Sequence, residues 1–206
     1  MAERESARVR ILEAACDLIA ADGIDDVRIA RVAMRAGAST ALVHHYFSTR
    51  EELLEQALLH SFEQAGDERF AEAEAEAPNA IAALAVAIEE CLPGPGRPER
   101  DWVLWVELWL RAAREPDLRP LAASLYARYH EWLEDVLKRG VDSGEFAAPD
   151  DLAALTDRTM ALLDGLGLRA LLRDPTMDID AARAQVAGFL AGPLGIDPAA
   201  LLTEPV

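Results

Sequence analysis

A chain of 206 residues, 51% of them hydrophobic, is long enough to bury a sizeable core, and its abundance of good helix formers, with Gly and Pro mainly between periodic stretches, reads as all-α. The formal net charge of −17 at first sight argues against a nucleic-acid partner, yet residues 1–50 carry seven Arg against seven Asp or Glu, so the whole deficit lies in residues 51–206. Cys16 and Cys91 have no CxxC spacing, the start MAERESARVR lacks an apolar signal core, and no apolar run nears the roughly 20 residues of a membrane span; neither a disulfide framework nor a membrane protein is expected, and a reducing cytoplasm is.

Ser6 reads as an N-cap. Val9, Ile11, Leu12, Ala15, Leu18 and Ile19 follow at helical spacing, and Gly23 ends the helix. Cys16 lies in that apolar stripe and is expected in the core. A short second helix spans about Arg28 to Arg35, Gly37 and Ala38 make a turn, and Ser39 caps a third helix running to about Tyr46. A fourth helix starts near Thr49, with Glu51 and Glu52 where the dipole favours acids, and extends to about Ala77. Further helices are expected at about Asn79–Cys91, Glu99–Arg114, Leu118–Ser143, Asp150–Leu172 and Asp180–Ala191. The run from Pro93 to Pro98 is expected to be a loop, and the residues after Gly192 a tail.

Two short helices joined by a glycine-containing turn are the minimum of a helix-turn-helix. Val32, Ala33 and Ala36 face inward from the second helix, and Val43 and Phe47 close the same core from the third. That leaves Thr40, Ala41, Leu42, His44 and His45 outward, with Tyr46 beside them. Short polar and apolar groups on such a face let the backbone enter a major groove roughly 12 Å wide. The window Val27–Arg50 holds Arg28, Arg31, Arg35 and Arg50 and no acid, a local basic surface of the kind phosphates require. Arg28, Ser39 and Arg50 complete the candidate DNA-binding set, Arg50 lying beside the free N–H groups of the fourth helix. Double-stranded operator DNA is the expected partner. A generic helical hairpin or a protein-binding adaptor would show the same turn but would not need the acid-free face. No P-loop, GxGxxG, HExxH or Ser-His-Asp signature points to an enzyme. His44 and His45 diverge by about 100° on a helix, so no metal or cofactor is expected.

The stretch AACDLIAADGIDDVRIARVAMRAGASTALVHHYFSTREELL resembles the N-terminal domain of the TetR family of tetracycline-repressor-type regulators. Val32-Ala33, Ala36-Gly37, Ser39, Val43, Tyr46-Phe47, Arg50-Glu51 and Leu53 carry the resemblance, over roughly residues 8–54. The sequence departs from the family pattern at Arg28, where Ser or Thr usually caps the second helix, and at Leu42 and His44, where Thr and Tyr are common. WVELWLRAAREPDLRPL and ALLDGLGLRALLRDP are similar to the subgroup of choline-responsive betaine-synthesis regulators. The resemblance implies a repressor released from a palindromic operator by a small molecule. It divides the chain into a helix-turn-helix domain (1–50), a ligand-binding and dimerisation domain (51–192) and a tail (193–206).

Trp102, Trp105 and Trp109 share one helix face, and Tyr126, Tyr129, His130 and Leu133 another. Trp105, Trp109, Tyr126, Tyr129 and His130 are the candidate ligand contacts, with ordinary core the alternative. Glu107 and Arg111 read most simply as a surface i,i+4 ion pair. Gly165 and Gly167 lie in an otherwise leucine-rich helix, where each costs roughly 1 kcal/mol against alanine, so another backbone is expected close by. Ala181, Ala184, Ala187 and Gly188 give the last helix a small-residue face. Leu162, Gly165, Leu166, Ala184 and Gly188 form the candidate homodimer interface. The glycines equally permit packing within one subunit; the resemblance favours the dimer.

Overall fold

The structure, a computed structural model, describes residues 2–62 and 77–202. Among these residues every regular element is helical. Their contacts divide the chain into two compact units, Met1–Gly66 with Val103–Ala122, and Asp67–Trp102 with Ala123–Val206.

The first unit opens with α1, Ala2–Asp22, which begins ahead of Ser6, so Ser6 is not its N-cap. Ile11, Leu12, Ala15, Cys16 and Ile19 are fully buried, the i, i+1, i+4, i+5, i+8 stripe of an amphipathic helix. Gly23 closes α1 by donating to the Ile19 carbonyl at 2.9 Å; its φ of 81° is a conformation that side chains resist. A single 3-10 turn, Ile24–Asp26, buries Ile24 and leads to α2, Ile29–Arg35. Arg28 holds the N-cap position of α2 with extended backbone and no side-chain cap bond, as its departure from Ser or Thr implies.

Gly37, at φ 63°, turns the chain after α2, and the Ala38 N–H returns to the Ala33 carbonyl at 2.9 Å. Ser39 then caps α3, Thr40–Tyr46, by accepting the Leu42 N–H at 3.1 Å. Val32, Ala33 and Val43 are buried, as is Phe47, which ends α3. Residues 50–62 form the described part of α4; the expected extension to Ala77 lies outside the described residues. Its start is capped reciprocally: Thr49 accepts the Glu52 N–H at 3.0 Å, and the Glu52 carboxylate accepts the Ser48 N–H at 2.7 Å.

In the second unit, α5 (Ala80–Glu90) is capped by Asn79 and sends Leu84, Ala87 and Ile88 into a core. The helix α6, Arg97–Arg114, starts earlier than the expected loop allows: Pro98 sits in its first turn, where a missing N–H removes no helical bond. Its residues from Val103 on belong to the first unit. After Pro116–Leu118, α7 spans Arg119–Ser143. Asp151 caps α8 (Leu152–Leu171) and Asp178 caps α9 (Ile179–Leu194), and these two helices pack on each other. Ordered structure continues past Gly192, since Leu194 and Leu201 lie in the core at 0% and 4% exposure.

Candidate nucleic-acid interface

The helix-turn-helix places the sequence-predicted face outward. Thr40, Ala41, His44 and His45 are exposed on α3, while Leu42 and Tyr46 are half-buried along its edges. His45 meets Tyr46 edge-on at 5.2 Å between ring centroids. Ser39 is exposed, but its hydroxyl oxygen is engaged in capping α3. The face carries two imidazoles, a hydroxyl and two apolar groups, a set that can donate to base acceptors and touch thymine methyls.

The four arginines of the acid-free window are used differently from one another. Arg31 pairs with Asp22 and Arg35 with Asp17, each at 2.8 Å, so α1 supplies the acids missing from the window itself. Both pairs are exposed and worth only about 0–1 kcal/mol, so a phosphate can replace either carboxylate cheaply. Among the described residues Arg28 has no ion pair or side-chain hydrogen bond. Arg50, expected beside phosphates, instead donates to three backbone carbonyls: Val27 at 2.7 Å, Ile24 at 2.5 Å and Asp25 at 2.9 Å. It ties the start of α4 to the connection between α1 and α2.

The candidate ligand contacts fall in both units. In the first, Phe62 of α4 stacks on Trp105 at 4.3 Å, and Trp105 meets Trp109 at 5.7 Å. Arg111 does not pair with Glu107 as expected. It donates twice to Glu115, each at 2.9 Å, and the Glu107 carboxylate accepts the Ile24 N–H instead. Burial and then the nearby Asp25 raise the Glu107 pKa above the usual carboxylate range, against the opposing pull of the Ile24 N–H and Arg111.

In the second unit, the Tyr126 hydroxyl donates to Asp164 of α8 through a short hydrogen bond. His130 lies 3.0 Å from Asp157 and 3.7 Å from Glu134, and Tyr129 is half-buried. Burial raises the Asp164 pKa, opposed by the Tyr126 bond; burial and the Asp164 carboxylate raise that of Tyr126. One turn beyond Asp164, the Trp102 indole fills the space over Gly167. Asp164 was not among the expected site residues. Its signal was available: a single acid inside the leucine-rich run Leu162-Leu163-Asp164-Gly165-Leu166.

Gly165 and Gly167 separate in role. A Cβ on Gly167 would stand 2.3 Å from Trp102, so this close approach is internal to the chain, whereas a Cβ on Gly165 or Gly188 meets nothing within 4 Å. Gly165, Ala184 and Gly188 are exposed, Leu162 is half-buried, and Leu166 is buried in its own chain's core. Among the described residues no helix is long and apolar enough to cross a membrane.

An exposed, capped second helix on a small helical head, beside acid-paired arginines, defines a helix-turn-helix DNA-binding regulator. Residues 11–57 match the bacterial regulatory proteins of the tetR family, and residues 80–195 match the BetI-type transcriptional repressor C-terminal domain. The chain belongs to the TetR family and carries the BetI-type repressor domain. It is 30% identical over 184 residues to the HTH-type transcriptional regulator BetI of Burkholderia mallei, covering 87% of this chain and 89% of that one. It is 26% identical over 194 residues to BetI of Brucella suis, covering 94% of each. A solved transcriptional regulator from Saccharomonospora viridis, in complex with choline, superposes with a TM-score of 0.81 at 30% identity, covering 92% of this chain and 98% of that one. The protein is a DNA-binding transcriptional repressor, and members of this family are not enzymes.

Proposed function

We propose that this repressor is a cytoplasmic homodimer that reads a palindromic operator and releases it when a small organic cation of the choline type binds its C-terminal part. The observation that carries the DNA reading is the exposed, acid-free face of α3, with Thr40, Ala41, His44 and His45 outward and Arg28 free beside it. Two copies of so short a helix reach adequate affinity by reading two half-sites about 34–36 Å apart.

The cation reading rests on Asp164. Its hydrogen-bond partner is the Tyr126 hydroxyl, and among the described residues no cation pairs with this half-buried carboxylate. A half-buried carboxylate beside the Tyr126 ring suits a quaternary ammonium, which aromatic rings attract through their negative faces. The choline bound by the Saccharomonospora viridis relative supports the same class.

Choline itself is the first probe. It is expected to change the fluorescence of Trp102, Trp105, Trp109 and Trp132, and to weaken operator binding by about 5–150-fold, the usual range of allosteric coupling. Asp164→Asn should weaken choline binding about tenfold or more, because a buried ammonium then loses its counter-charge. Operator affinity that stays constant up to saturating choline would contradict the release mechanism. Full choline affinity in Asp164→Asn would remove Asp164 from it.

A further inference from the structure

We propose that Glu107 is a positioning residue: from α6 it holds the turn between α1 and α2 in place, and so sets the orientation of the DNA-reading helices that Arg50 fastens from the other side. This deepens the proposed regulation and rests on that reading.

The turn Ile24–Asp26 is gripped twice. On one side, Arg50 at the start of α4 donates to the carbonyls of Ile24, Asp25 and Val27. On the other, the Glu107 carboxylate accepts the Ile24 N–H, and its Oε1 lies 3.9 Å from where a Cβ on Gly23 would stand. The Ile24 N–H opens a 3-10 turn and has no carbonyl of its own helix to meet, so Glu107 satisfies a donor that would otherwise be orphaned. A second link joins α6 to α4, through Trp105 on Phe62. The contacts form a closed circuit inside the first unit: α6 to the turn, the turn to the head of α4, and α4 back to α6.

Glu107 and Trp105 are two residues apart on α6. A shift of α6 that moves Trp105 against Phe62 therefore also moves the acceptor that fixes Ile24. The turn leads directly into Arg28 and α2, which packs on α3. Movement of α6 is in this way converted into movement of the recognition helix relative to α4. Burial and Asp25 both disfavour the charged form of Glu107. Its place beside Gly23 and on a first-turn donor of Ile24–Asp26, opposite the Arg50 contacts, fits a role in holding the turn.

The test measures operator affinity of the full-length, ligand-free protein, alongside thermal unfolding. Glu107→Ala is expected to lose about tenfold in operator affinity, the scale of one hydrogen bond to a charged acceptor. Glu107→Gln keeps an oxygen for the Ile24 N–H and is expected to recover most of that loss. It should also unfold at or above the wild-type temperature: a carboxyl with a raised folded-state pKa stabilises at pH below its unfolded value and loses that contribution as pH rises through the folded value. Arg50→Ala should weaken binding comparably, and adding Glu107→Ala to it should cost little more, since one turn is released in both. Wild-type operator affinity in Glu107→Ala, a Gln variant as weak as the Ala variant, or full additivity with Arg50→Ala would each overturn the proposal. These outcomes presuppose a wild type that binds its operator; if it binds none, the functional reading itself has failed.

Discussion

In the homodimer proposed above, Gly165→Leu is expected to leave the protomer folded, yield a monomer at micromolar concentration and lower operator affinity by about 100-fold or more. A Cβ at position 165 meets nothing within 4 Å among the described residues, and leucine gains up to about 1 kcal/mol in helix propensity over glycine, so the protomer is expected to tolerate it. In the proposed dimer, its bulk would hold apart two copies meeting across Gly165, Ala184 and Gly188. Reading two linked half-sites multiplies affinity by about 10²–10⁴, which a monomer forfeits. Gly167→Ala, a far smaller change one half-turn away, should act on the fold instead. Its Cβ would lie 2.3 Å from the Trp102 ring, which is only 6% exposed and cannot easily move aside. Overpacking of this kind costs about 1–3 kcal/mol, lowering the unfolding temperature by roughly 2–4 °C per kcal/mol in a chain of this size. Sedimentation and thermal unfolding of both variants separate the two effects. A Gly165→Leu protein that sediments as the wild-type dimer would place the interface elsewhere.

The second large effect belongs to α3. Replacing Thr40 and His44 together by Ala should cut the preference for operator over scrambled DNA by about 100-fold, since each good base contact discriminates by roughly 1–3 kcal/mol. Binding to the scrambled duplex should hardly change, because sequence-independent affinity comes mainly from arginine and lysine pairing with phosphates. Arg28→Ala is expected to do the reverse: it weakens binding to both duplexes alike and lowers the salt slope by about one unit. Anisotropy titrations of the two duplexes at several salt concentrations resolve all three cases. Equal loss on both duplexes for the α3 variant would mean that α3 does not read bases.

The DNA head was largely legible in the sequence because its signals are local. Ser39 as a cap, Gly37 as a left-handed turn and the inward set Val32, Ala33, Val43 and Phe47 depend only on neighbours within a turn or two, and the structure reproduces each. What the sequence did not reveal depends on distant partners. Arg50 lies in an acid-free window but reaches back 23–26 residues to backbone carbonyls, which no spacing rule anticipates. Glu107 and Arg111 have the spacing of an ion pair, yet Glu115 offers Arg111 a bidentate partner and the Ile24 N–H claims Glu107. The two glycines of α8 look alike in sequence; only Trp102, more than sixty residues earlier, makes one of them a packing site. Pro98 and the residues after Gly192 were read too strictly as breaks, because proline is tolerated in a helix's first turn and a capped 3-10 turn can carry Leu201 back to the core.

In the proposed arrangement two protomers read one palindrome. The most direct measurement is titration of the protein onto the palindromic segment upstream of its own gene, with stoichiometry and salt dependence recorded together. Two chains per palindrome, affinity at least about 10³-fold above scrambled DNA and a steep loss of binding with salt are the expected results. Binding that ignores the palindrome, or that is indifferent to salt, would contradict the account.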